Sequence, residues 1–321
     1  MTSFANARRS FATALLGLVA FAVVPTVQAD YNPKLLRIGF QKSASVLSLL
    51  KSQGTIEKQL SGKGVEIKWV EFPAGPQLLE GLNVGSIDFG YVGEAPPIFA
   101  QAAGANFVYV GYELPAPAAE AVLVPKTSTI RSVADLKGKK IALNKGSNVH
   151  YLLVKLLEKH GLKYSDVQVV FLPPADARAA FERGSVDAWV IWEPFQSAAE
   201  KQVEARILDD GKGVVNNHAF FLAEREFAEK RADVIRVLFE EAHKLGQQIK
   251  KDPHAAAAQL TTLQGLDPAV IEQALNRYNL SVQPINDAVL AEQQKLADTF
   301  FDLKLIPKAI QVKDATLQAR R

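Results

Sequence analysis

Five short segments combine small residues with hydrogen-bonding side chains. They are Gln41-Lys42-Ser43-Ala44-Ser45, Pro73-Ala74-Gly75-Pro76, Gly93-Glu94-Ala95-Pro96, Asn144-Lys145-Gly146-Ser147-Asn148 and Pro173-Pro174-Ala175-Asp176. Each follows a short apolar run and precedes a helical pattern, so each reads as a turn from a strand into a helix. Glycine and serine in such turns let a ligand approach backbone N–H groups, and the helix start adds about half a positive charge. The chemistry this suits is the binding of a small anion without a full cation. In the segment 144–148, Ser147 or Asn148 can equally cap its own helix. Both roles coexist, because capping leaves other N–H groups free. Lys42 and Lys145 suit solvent better than a buried ligand.

Aromatic residues gather at Trp189, Trp192 and Phe195, with Glu193 and Pro194 among them. One tryptophan is expected in a sheet core. Trp192, at the carboxyl end of its strand, is expected to wall a cleft, with Phe40, Tyr91 and Tyr112 as candidates for the opposite wall. Glu94 and Glu193 repel an anion unless they are bonded elsewhere. Bridging the two halves, lying at the rim and meeting a cationic group on the ligand all stay open for them. Asp88 and Asp187 are expected to fix the turn before a strand. The five histidines lack the spacing of a metal pair, and no GxSxG, Walker A or GxGxxG string occurs, so no metal, cofactor or catalytic residue is assigned.

The elements that position these turns repeat. Residues 71–90 lie over 170–189 without a gap, each copy running from a strand end through a turn and helix to Gly-Ser-x-Asp. Residues 37–52 resemble 140–157 in type. Strands are expected at 36–40, 66–71, 87–92 and 107–112, and again at 140–144, 168–172, 186–191 and 206–208. Alternating strands and helices imply an α/β fold with parallel sheets flanked by helices. In such sheets ligands bind outside the carboxyl ends of the strands. Two further apolar strands, 119–125 and 218–223, fit as crossings between two lobes near Val122 and Phe221. From residue 224 onward helices are expected at 226–250, 252–264, 267–278 and 287–303, with Asp267 and Asp287 as caps. Lobe 1 is then 30–122 with 221–321, and lobe 2 is 123–220.

Residues 1–29 differ from the rest. Arg8 and Arg9 precede an apolar run too short to span a membrane, followed by Val27-Gln28-Ala29, and this reads as a cleaved export signal. Arg8-Arg9 also admits twin-arginine export. Cleavage leaves 292 residues, with 35 basic against 34 acidic side chains and a net charge of +1. That balance offers no footprint for nucleic acid or anionic lipid. There are no cysteines, which excludes disulfides, thiolate metal sites and a thiol nucleophile.

The strings RIGFQK, WVEFPAGPQLLEGLNVGSIDFG, PPIFAQAAGA with VYVG, VADLKGKK, PADARAAFERGSVDAWVIWEP and LIPK span nearly the whole mature chain. In them the chain resembles periplasmic aliphatic sulfonate-binding proteins. The combination EFPAGPQ with PADARAAF is specific to the sulfonate branch; single strings are shared with receptors for nitrate, taurine or pyrimidine precursors. The resemblance implies a two-lobed type II (Venus-flytrap) binding fold and a monomer in the periplasm that carries an alkanesulfonate to the permease and ATPase subunits of an ABC importer for sulfur acquisition. It favours Gln41, Gly75, Gly93, Glu94, Ser147, Asn148 and Trp192 as pocket lining. Ser43, Asp176 and Glu193 complete the expected ligand-binding set. The position of Glu94 looks like aspartate in many relatives. Two alternatives are a receptor for taurine, nitrate or a heteroaromatic precursor, and a periplasmic enzyme acting on sulfonates or sulfate esters.

Overall fold

The computed structural model describes residues 32, 34–41 and 45–317. The expected export signal at 1–29 and the candidate Ser43 lie outside the described residues. In chain order the first half contains β1 (Leu35–Gln41), α1 (Val46–Gln53), α2 (Thr55–Ser61), β2 (Glu66–Phe72), α3 (Gly75–Asn83), β3 (Phe89–Gly93), α4 (Ala95–Ala102) and β4 (Phe107–Glu113). Then come β5 (Glu120–Val124), β6 (Lys140–Leu143), α5 (Asn148–Lys159), β7 (Gln168–Phe171), α6 (Pro174–Glu182), β8 (Ala188–Trp192), α7 (Phe195–Gln202) and β9 (Arg206–Asp210). The remainder is β10 (Ala219–Glu224), α8 (Arg225–Lys230), α9 (Ala232–Lys251), α10 (Pro253–Gln264), α11 (Pro268–Arg277), β11 (Val282–Pro284) and α12 (Asp287–Asp302).

The strands form two sheets, ordered β11-β4-β10-β3-β1-β2 and β7-β6-β8-β5-β9. In the first, all strands but β10 and β11 run one way; in the second, all but β5 do. The reversed strands β5 and β10 are the two apolar runs expected to cross. Each lies wholly within one sheet, so the crossings fall at 114–119 and 211–218, slightly before Val122 and Phe221. The reason is that an apolar strand gains most when paired on both edges, as β5 is by β8 and β9 and β10 by β3 and β4.

Alternation with period two fills both faces of each sheet. On β10, Phe221 and Ala223 enter one core with Phe89 and Leu238, while Phe220 and Leu222 enter another with Tyr109 and Phe300. On β8, Val190 packs with Leu143 and Leu152, and Trp189 packs on the opposite face with Phe181. Trp189 is fully buried, which makes it the core tryptophan of the pair. Burying each such side chain contributes roughly 2 kcal/mol.

The duplicated Gly-Ser-x-Asp units carry duplicated bonds. Asp88 N donates to the Arg37 carbonyl at 2.8 Å and Asp187 N to that of Lys140 at 2.8 Å. The Asp88 carboxylate accepts from Arg37 N at 2.7 Å, and that of Asp187 from Lys140 N at 2.8 Å. Each aspartate thereby ties the start of its strand to the neighbouring strand. The first copy adds the Arg37 guanidinium, 3.0 Å from Asp88 at Nε.

Three expectations shift. The helix expected at 226–250 is broken at Arg231, whose φ of −126° and ψ of 41° leave the helical region. The break lets α8 bury Phe227 and α9 bury Val234 and Leu238 from different directions. Asn286, not Asp287, caps α12, its side chain accepting from Val289 N at 3.0 Å. The third strand begins at Phe89 rather than at 87, because Asp88 is held in its turn. Among the described residues no helix is long and apolar enough to cross a membrane.

Candidate functional site

A cavity of about 600 Å³, counting its open mouth, lies at the carboxyl ends of strands from both sheets. From the first sheet come Gln41 at the end of β1, Gly75 at the start of α3, Tyr91 and Gly93 on β3, Pro96 on α4 and Glu113 at the end of β4. From the second come Ser147 and Asn148 at the start of α5 and Trp192 at the end of β8. Leu114, Ala116 and Asn217 on the crossings, Ala219 on β10 and Tyr278 after α11 complete the wall. Two helix starts open on the cavity without a side-chain cap, those of α3 and α5.

Six expected residues therefore meet at one cavity: Gln41, Gly75, Gly93, Ser147, Asn148 and Trp192. Gln41 donates through Nε2 to the Tyr91 carbonyl at 3.1 Å. Ser147 does not cap α5; its hydroxyl donates back to the Asn144 carbonyl at 2.7 Å. Trp192 is half-buried and meets Phe195 edge-on, with ring centroids 6.1 Å apart. Of the candidates for the facing wall, only Tyr91 lines the cavity. Phe40 packs edge-on against Trp69, and the Tyr112 hydroxyl accepts from Asn286.

Asn148 reaches across the gap. Its Oδ1 accepts from Ala95 N at 3.2 Å, at the start of α4, and its Nδ2 donates to Asn217 Oδ1 at 2.6 Å. The approach needs Gly93, since a Cβ there would fall 2.1 Å from Asn148 Oδ1. The amide is thus engaged with the start of α4 and with a crossing, and not with its own helix.

Three expected residues do not line the cavity. Asp176 is exposed in the first turn of α6. Glu94 is buried, and its carboxylate accepts from His218 N at 2.9 Å. Glu193 is fully buried; it accepts from Ser197 N and Oγ at 3.0 and 2.8 Å and from Arg277 at 2.6 Å. Arg277 also binds Glu200 at 2.6 Å, so it clamps α11 to the end of β8 and to α7. Burial pushes the Glu193 carboxyl up and outweighs Arg277 and Ser197, whereas Arg277 itself is raised by Glu200 and Glu193 against its own burial. Three donors on one carboxylate make the ionised form the one that satisfies the site.

Sequence reasoning missed Glu113, Glu120, Asn217, Arg277 and Tyr278. Burial pushes Glu113 up to about 8, offset in part by the Tyr91 hydroxyl, and Glu94 up to about 8, offset in part by His218 N. Glu120 is raised further by burial and then by Glu94, and neither of its oxygens has a partner. The available signal was an acidic residue ending or interrupting an apolar strand, as in VYVGYE and AEAVLV. Among the described residues no group of three or more His, Asp or Glu is placed to hold a metal ion.

Residues 60–256 match the family model described as NMT1/THI5 like. The chain is 45% identical over 309 residues to a putative aliphatic sulfonates-binding protein of Escherichia coli K12, covering 95% of each chain. It is 38% identical to a putative aliphatic sulfonates-binding protein of Bacillus subtilis 168, covering 88% of this chain and 85% of that one. Among solved structures it is similar to the alkanesulfonate-binding protein SsuA of Xanthomonas axonopodis pv. citri bound to MOPS, with a TM-score of 0.85, 44% identity and coverage of 89% and 99%.

Proposed function

The chain belongs to the NMT1/THI5-like family, and we propose that it is an extracytoplasmic receptor for aliphatic sulfonates that serves an ABC importer in sulfur acquisition. The observation that carries this reading is the cavity walled by strand ends of both sheets and lined by Gln41, Gly75, Ser147 and Trp192. A sulfonate is a very weak base with three acceptor oxygens and one permanent charge. Backbone N–H groups at the starts of α3 and α5 suit that headgroup, and Trp192 suits an alkyl tail.

In this reading the six-stranded sheet with its helices forms one lobe and the five-stranded sheet with its helices the other, joined at 114–119 and 211–218. Ligand held between them favours the closed form through contacts made only there. The permease and ATPase subunits then receive it from a monomeric, periplasmic carrier. The relatives with these sequences are named as binding proteins, which supports reversible capture without chemistry.

Calorimetric titration with the series from ethanesulfonate to octanesulfonate, with nitrate and taurine alongside, tests the proposal. Micromolar binding of at least one alkanesulfonate is expected, equivalent to about 8 kcal/mol. Absence of heat for every sulfonate refutes it. Mass spectrometry of the ligand after long incubation must return it unchanged; a converted product would mark an enzyme instead.

A further inference from the structure

Glu113 closes β4 at the cavity wall and is 2% exposed. Its Oε2 lies 2.7 Å from the Tyr91 hydroxyl. Tyr91 is itself buried, and burial together with Glu113 holds its phenol protonated well above the ordinary range. The phenol therefore donates, and Oε2 accepts. Glu113 Oε1 is buried with no partner in the protein. A buried polar atom without a partner is costly, so the missing partner is expected from whatever fills the adjoining cavity.

We infer that Glu113 is a ligand-binding residue that carries its carboxyl hydrogen on Oε1 and donates it to a sulfonate oxygen, so that capture of the anion is coupled to one bound proton. This rests on the sulfonate reading above. An ionised Glu113 would set a second negative charge against the headgroup, and among the described lining residues there is no lysine or arginine to offset it. The protonated carboxyl removes that repulsion and supplies a donor. Its ordinary range is already displaced to about 8 by burial, and a neighbouring anion displaces it further upward. The surroundings act in the same direction. Tyr278 is raised by burial and by the carboxylates of Glu193, Glu113 and Glu120, which shows how much negative charge this corner would hold if ionised. Arg277 is committed to Glu193 and Glu200, and His218 offers Glu113 only a ring nitrogen 3.0 Å from its carbonyl.

The test is calorimetric titration of hexanesulfonate from pH 6.5 to 9.5 in two buffers of different ionisation enthalpy. Affinity is expected to be level below about 8 and then to fall about tenfold per pH unit, reaching about 30-fold weaker at pH 9.5, with proton uptake on binding. Glu113→Gln keeps a donor in place, so it should bind and lose the pH step. Glu94→Gln must leave the step in place, which separates the two carboxyls that titrate in one window and does not depend on the Glu113 variant folding. A level wild-type profile with measurable heat would overturn the inference and spare the sulfonate reading. A step that persists in Glu113→Gln or vanishes in Glu94→Gln would also overturn it. So would proton release on binding taurine more tightly than ethanesulfonate, because Glu113 would then be an ionised partner for an ammonium group. No heat from any sulfonate at any pH removes both.

Discussion

Gly93→Ala should weaken sulfonate binding through a residue that the new methyl displaces. The added Cβ would sit 2.1 Å from Asn148 Oδ1 and 2.4 Å from Cγ and Nδ2 of the same amide. That amide cannot stay, and its bonds to Ala95 N and Asn217 Oδ1 go with it. Each is worth about 1 kcal/mol net, so about 2 kcal/mol of contact from α5 to the start of α4 and to the crossing at Asn217 is lost. If those bonds form only when the lobes close, the loss appears as roughly 30-fold weaker affinity. Asn148→Ala should cost about the same. The double variant decides the mechanism: with the amide gone the methyl displaces nothing, so the two losses should overlap and not add. Calorimetry with hexanesulfonate reads all four proteins. A neutral Gly93→Ala, or a full extra loss on the Asn148→Ala background, would refute the reasoning, the latter by placing the methyl against the ligand.

Arg277→Ala strands the fully buried Glu193 carboxylate and should destabilise the fold by about 3 kcal/mol in urea unfolding. Arg277→Lys should recover only part, because one guanidinium serves both Glu193 and Glu200. Glu94 has a folded pKa raised to about 8, above its unfolded value, so its favourable contribution is complete below about 4.5 and declines as pH rises to about 8. Glu94→Gln should therefore raise the melting temperature more at pH 8 than at pH 5; an equal shift at both would show that this carboxyl is not the one titrating. Trp192→Ala should weaken octanesulfonate far more than ethanesulfonate, since each buried methylene is worth about 0.8 kcal/mol, and a uniform loss would contradict the wall role.

The fold was legible because its signals are local. The short apolar runs FFLA and AWVI, the capping Asp267 and the duplicated Gly-Ser-x-Asp units each report on a few neighbouring residues. Where local preference meets a long-range demand, legibility ends. Arg231 lies in an unbroken helical pattern, yet the chain breaks there so that Phe227 and Val234 reach one core along two axes. Asn148 looks like a cap beside its own helix, yet its amide serves Ala95 and Asn217, 53 and 69 residues away.

The site shows the same division more sharply. An anion pocket built on arginine declares itself by residue type; one built on helix starts does so only through residues that make room. That is why Gly75, Gly93 and Ser147 could be read, while the groups that set the charge of the cavity could not. Glutamate is ordinarily a surface residue, so the one sequence hint at Glu113 and Glu120 is the apolar run that each ends or interrupts, and that hint says nothing of their charge. What sets them apart in the fold is burial, and burial changes their chemistry: a carboxyl held to about 8 inside the wall is a donor. A residue type that argues against an anion site in the sequence can thus argue for one in the fold.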